Sequence, residues 1–228
     1  MSTGFITLTA ADGQSIPAFV ARPQGTPRGG IVLLQEIFGL NAHIRAVAAG
    51  YAAAGYLVVA PATFHRVQAD VELGYTPDDV KAGAALKAAV EALPAPGALQ
   101  DVQAAVDWVA QAGKVAVMGY CWGGLLTWRA ACLLRGVAAA VPYYGGGMTT
   151  PAEAARQPQC PVLAHFGEQD HAIPIDGVHA FAQAHPDVRV EIYAAQHGFN
   201  CDHRGAYNAE AAQLARERTL AFLAQQLG

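Results

Sequence analysis

The segment Val115-Ala116-Val117-Met118-Gly119-Tyr120-Cys121-Trp122-Gly123-Gly124-Leu125 joins a short apolar run to the start of an apolar helix through a glycine-framed turn. Four consecutive apolar residues bounded by glycine suit a strand buried on both faces. The Gly-x-Cys-x-Gly-Gly that follows matches the strand–turn–helix context of a nucleophile elbow, with cysteine in the place of serine. Gly119 and Gly123 stand two residues before and after Cys121, where the turn presses backbone segments together and a side chain would obstruct. A free cysteine is most often a small buried hydrophobe, and Cys132, within a helix, and Cys160, before Pro161, fit that role. Packing alone does not require glycines framing a thiol between strand and helix, so Cys121 reads as a nucleophile. Cys201 is open to either reading.

Outward from this turn, unbroken apolar runs recur at Ile31 to Leu34, Tyr56 to Val59, Val137 to Val141 and Val162 to Ala164, with a last strand at Val188 to Tyr193. Ala-rich stretches with helical spacing lie among them, at Ala42 to Ala53, Asp78 to Leu93, Leu99 to Gln111, Gly123 to Leu134 and about Ala206 to Leu227. Strand and helix alternate, which predicts a mostly parallel central sheet with helices on both faces. Phe5 to Thr9, the turn at Asp12-Gly13 and Ile16 to Val20 read as an antiparallel hairpin that can edge this sheet. The expectation is an α/β-hydrolase fold, with residues 1–228 forming one domain and no separate cap domain.

Composition narrows the function. The chain has 228 residues, 53% of them hydrophobic and 14% charged, and a formal net charge of −4. The scattered basic residues leave no electrostatic footprint for nucleic acid or anionic membrane, so small molecules are the expected partners. No apolar stretch is long enough to span a bilayer. The start Met1-Ser2-Thr3-Gly4 lacks a basic region followed by an apolar run, and the cytoplasm is the expected compartment. The four cysteines form no CxxC pair, and the histidines His43, His65, His165, His179, His185 and His203 show no metal-ligand spacing. No metal or other cofactor is expected.

In such a sheet, functional residues gather where the strands end at their carboxyl termini. A helix beginning after Cys121 would direct its free amides and positive dipole end at the sulfur, which favours a thiolate. The amides of Trp122 and Ile37 are placed for an oxyanion hole, where one donor is worth about 10²–10³ in rate. Gln196-His197-Gly198-Phe199 follows the last strand, and its imidazole can reach back toward Cys121 as the base. Asp170, in Phe166-Gly167-Glu168-Gln169-Asp170, is the carboxylate that would orient it, with Glu168 as the fallback. His171 competes poorly as the base, because it adjoins Asp170 in one short loop.

At Gln35-Glu36-Ile37-Phe38-Gly39, at Gly119 to Gly124, at Gly167 to Asp170 and at His197-Gly198-Phe199, the chain resembles the dienelactone hydrolase family, or carboxymethylenebutenolidases. A cysteine elbow combined with a glutamate directly after the first parallel strand separates that family from serine esterases. The resemblance implies that Cys121, Asp170 and His197 form a triad and that Glu36 hydrogen-bonds the resting thiol until substrate displaces it. It also implies arginines that bind the substrate's carboxylate. Arg66 resembles one of them. Where the family pattern places another, four residues after the histidine, this chain has Cys201, and Arg204 is the nearest alternative.

These residues point to opening of a small enol-lactone through a thioester. Two rivals use the same residues: a broad carboxylesterase or thioesterase with the same triad, and a non-catalytic redox module in which Cys121 is a sensor thiol and Cys201 its partner.

Overall fold

The computed structural model describes residues 1–228 and organises them around one eight-stranded sheet in the order β1-β2-β4-β3-β5-β6-β7-β8. The hairpin strands β1 (Ser2–Thr9) and β2 (Ser15–Arg22) pair antiparallel with Thr9 opposite Ser15, and β2 runs antiparallel to β4 (Leu57–Pro61). The other neighbours, β4 with β3 (Gly30–Leu34), β3 with β5 (Val115–Tyr120), then β6 (Val137–Tyr143), β7 (Leu163–Gly167) and β8 (Arg189–Tyr193), are all parallel. Every residue of β3, β4, β5 and β7 is buried, which is why these strands are continuous apolar runs rather than alternating ones. The expected α/β-hydrolase architecture is present, with the hairpin at one edge.

Helices fill the connections. In α1 (Ala42–Ala53) the Asn41 side chain caps the first turn by accepting from the Ile44 amide at 3.2 Å. In α2 (Pro77–Glu91) Thr76 and Asp79 form a reciprocal capping box with Pro at the first position. Then come α3 (Leu99–Val109), α4 (Trp122–Leu133), the short α5 (Pro151–Ala154), α6 (Ile175–Ala184) and α7 (Ala209–Leu227). Both α3 and α4 pack on the central strands, and one apolar cluster of 62 buried residues joins sheet and helices.

Three elements differ from the sequence-based expectation, the first being the four-residue α5, which was not foreseen. Helix α6 was not foreseen: it follows Pro174, contains Gly177 and buries only Val178 and Phe181, so its apolar stripe is too thin to stand out. Phe181 nevertheless anchors it edge-on to Trp128, with ring centroids 5.0 Å apart. The closing helix begins at Ala209 rather than about Ala206, because Asn208 caps it by accepting from the Ala211 amide. No helix is long and apolar enough to cross a membrane.

Candidate active site

Six parallel strands run in register, so the loops after β3, β5, β7 and β8 open on one edge of the sheet. Glu36, Cys121, Asp170 and His197 come from those four loops.

Cys121 lies between β5 and α4 with φ 55° and ψ −116°, a conformation that side-chain-bearing residues seldom adopt. Its amide donates to the Tyr143 carbonyl at 3.0 Å, and its carbonyl accepts from Leu125 and Gly146. The flanking glycines are sterically required. A Cβ at Gly119 would strike the Gly123 carbonyl, and one at Gly123 would strike the carbonyls of Leu34 and Gln35. The turn is thereby wedged against the end of β3, which brings Glu36 and Ile37 beside it. Trp122 opens α4, so its amide is among the donors that lack an intrahelical acceptor. The Ile37 amide likewise makes no backbone hydrogen bond. The indole of Trp122 stacks on Phe64 at 4.9 Å and donates to Glu91 at 2.8 Å, which fixes the first turn of the helix.

Asp170 is buried, and each oxygen has work. Oδ1 accepts from the amides of Ala172 and Ile173 at 2.8 and 3.1 Å, while Oδ2 lies 2.7 Å from His197 Nδ1. Burial lowers the proton affinity of the His197 ring, but hydrogen bonds to Asp170 and Cys121 outweigh it and raise the pKa to about 10. Glu168 and His171, the weaker alternatives, are both exposed.

Glu36 is only 4% exposed, and its carboxylate accepts from Arg204 Nη1 at 3.1 Å. This corrects the expectation that Glu36 hydrogen-bonds the resting thiol: its partner here is Arg204. The guanidinium also lies over the Phe38 ring, 5.7 Å from its centroid. Gly198, at φ 80°, makes room for it, since a Cβ there would collide with the guanidinium.

Arg66 is a second correction. Its Nε and Nη2 grip Asp101, the closest contact being 2.6 Å, and its Nη1 reaches Asp12 at 2.7 Å. A fork already engaged by two carboxylates has no free edge for a substrate. Arg66 instead ties α3 to the hairpin turn.

Two tyrosines border this site: Tyr144 stands at the carboxyl end of β6, where functional residues are expected, whereas Tyr75 was not singled out from sequence. Tyr144, at φ 35°, is fully buried with its hydroxyl unpartnered, and its ring meets His197 edge-on at 5.1 Å. Tyr75 receives a hydrogen bond from Asn41 at 3.0 Å and packs against Phe38 at 4.5 Å. Nothing in the local sequence of Tyr75 separates it from a core aromatic. All four cysteines are free thiols, so no disulfide links Cys121 to Cys201.

A model of the dienelactone hydrolase family matches residues 16–227. The chain belongs to the dienelactone hydrolase family. Carboxymethylenebutenolidases from Pseudomonas putida and Pseudomonas knackmussii are each 33% identical to it over 233 residues, covering 98% of this chain and 97% of theirs. A crystal structure assigned to dienelactone hydrolases, from Klebsiella pneumoniae, superposes with a TM-score of 0.84 at 30% identity, covering 98% of both chains. This dienelactone hydrolase family member is thus a hydrolase acting on ester or lactone bonds.

Proposed function

We propose that the chain opens small enol-lactones that carry a carboxylate, using Cys121 as nucleophile through a thioester. The observation that carries this reading is His197, held 2.7 Å from buried Asp170 and close enough to Cys121 for that thiol to raise its pKa, beside a strained, glycine-framed elbow.

An imidazole whose pKa is raised to about 10 takes the proton of the Cys121 thiol, and Asp170 stabilises the imidazolium that results. The thiolate adds to the lactone carbonyl, and the amides of Ile37 and Trp122 receive the developing oxyanion. Collapse of the tetrahedral species breaks the ring C–O bond and leaves a thioester, while His197 returns its proton to the departing enolate. The neutral ring then accepts a proton from water as the hydroxide attacks the thioester. The thiolate leaves and takes back the proton held by His197, and the acid product loses its proton to solvent. A thiolate is itself a good leaving group, so ring opening needs a departing oxygen of comparable stability, which favours enol-lactones over alkyl esters.

Arg204 supplies recognition in this scheme. A substrate carboxylate competes with Glu36 for the guanidinium, so binding exchanges one charge-assisted hydrogen bond for another and frees Glu36 beside the nucleophile. We place this reaction on a small molecule in the cytoplasm, with residues 1–228 acting as one catalytic domain. The test is hydrolysis of a carboxymethylene-butenolide and, in parallel, of p-nitrophenyl acetate by wild type and Cys121→Ala. Turnover of the lactone far above the ester, lost in the variant, is expected. Activity on the ester alone supports a general esterase, and equal rates for wild type and variant would overturn the cysteine mechanism.

A further inference from the structure

Behind the Glu36–Arg204 pair, three side chains with metal-ligand chemistry converge from separate segments. Glu36 follows β3, His43 lies in the first turn of α1, and Cys201 comes four residues after His197. One ligand atom from each, a carboxylate oxygen, a ring nitrogen and the sulfur, all lie within 4.8 Å of one another, and all three residues are buried. The proposed hydrolysis uses neither His43 nor Cys201.

We propose that Glu36, His43 and Cys201 form a binding site for one zinc ion, with its fourth position open to water. A thiolate, an imidazole and a carboxylate together suit a borderline-soft ion of tetrahedral preference better than magnesium or calcium, which take oxygen ligands. The surroundings of two ligands fit. His43 Nδ1 lies 2.9 Å from Asp202 Oδ1, an arrangement that fixes the tautomer and leaves Nε2 with its lone pair for a metal. The Cys201 sulfur is buried in the neighbourhood of the Tyr75 hydroxyl, and burial, the largest influence, holds its pKa up at about 11. A cysteine of ordinary acidity is mostly a thiol at neutral pH. Binding forms a Zn–S bond, breaks the S–H bond and releases that proton to solvent.

Asp202 and His203 are exposed and form an outer cluster with His43, while His43 and Asp202 line an open groove together with Tyr51 and Tyr120. Zinc on Glu36 would draw that carboxylate away from Arg204 and so change the exchange by which an anionic substrate binds. This consequence rests on the role proposed for Glu36, whereas the site itself does not.

Cobalt(II) is the probe, because a thiolate-to-cobalt charge-transfer band appears in the near ultraviolet and zinc abolishes it by displacement. The full-length Cys121→Ser variant keeps the elbow thiol out of the measurement. It should develop a band that saturates at one cobalt per chain and bleaches with zinc. Adding Cys201→Ser should remove the band, and adding His43→Ala should weaken cobalt binding by about tenfold or more, with thermal unfolding of the metal-free variants verifying their fold. Absence of a saturable band at millimolar cobalt, or a band that survives Cys201→Ser and so arises from Cys132 or Cys160, overturns the proposal. A band in Cys121→Ser alongside no hydrolysis by wild type would remove the proposed reaction and leave the zinc site standing.

Discussion

The Glu36 carboxylate and the Arg204 guanidinium meet at 3.1 Å although 168 residues separate them in sequence, and Glu36 itself is 4% exposed. In the proposed reaction this pair is the contact that an anionic substrate must exchange. Arg204→Met keeps the aliphatic length over Phe38 and removes the charge. A hydrogen bond to a charged partner contributes about 1.5–3 kcal/mol, so KM for a lactone bearing a carboxylate should rise by roughly 10- to 100-fold. Hydrolysis of neutral p-nitrophenyl acetate should change by only a few fold. Equal losses on both substrates would assign Arg204 to the architecture of the site rather than to recognition of charge.

Asp170→Asn tests the orientation of His197. The substitution preserves shape but removes the negative charge 2.7 Å from Nδ1, and its amide can satisfy the Ala172 and Ile173 donors only by presenting oxygen to them and N–H to the ring. The imidazole would then be held in the wrong tautomer, and kcat should fall by about a thousandfold or more. Stability should respond as well. The His197 pKa is raised to about 10 from an ordinary value near 6.5. Its contribution to stability is therefore complete below about pH 6.5 and is lost as pH rises through about 10. The gap in Tm between wild type and Asp170→Asn should narrow across that interval in thermal unfolding. A constant gap would show that Asp170 stabilises through its backbone contacts alone.

What could be read from the sequence depended on whether the information was local. The elbow is legible because its requirement, two glycines flanking one thiol, is written within a few residues, and a Cβ at Gly123 would indeed meet the backbone of β3. Asp170 and His197 could be located because a parallel sheet brings every strand end to one edge, whatever the distance along the chain. Arg66 misled for the opposite reason. Its position after β4 suggests a site residue, and only the fold reveals that Asp101, 35 residues away, already occupies its fork. The partner of Glu36 was hidden in the same way. The Glu36, His43 and Cys201 cluster leaves no spacing pattern at all, since its members come from two loops and the first turn of α1.

Arg66→Met separates architecture from recognition. Asp101 is completely buried, and burial pushes its carboxyl pKa up while Arg66 opposes that rise. Removing the guanidinium leaves an uncompensated buried carboxylate, and breaking such a pair costs about 3–5 kcal/mol. Asp12 loses a surface partner, which adds little. The variant should unfold at lower temperature and lower denaturant, with KM for an anionic lactone unchanged in the fraction that remains folded. The deficit should also depend on pH in a defined direction. Without Arg66 the folded-state pKa of Asp101 climbs further above its unfolded value, so the variant folds with a neutral carboxyl more readily as pH falls. Urea unfolding at pH 7 and pH 5 should therefore give a smaller difference from wild type at pH 5. A rise in KM with stability intact would restore Arg66 to the substrate site.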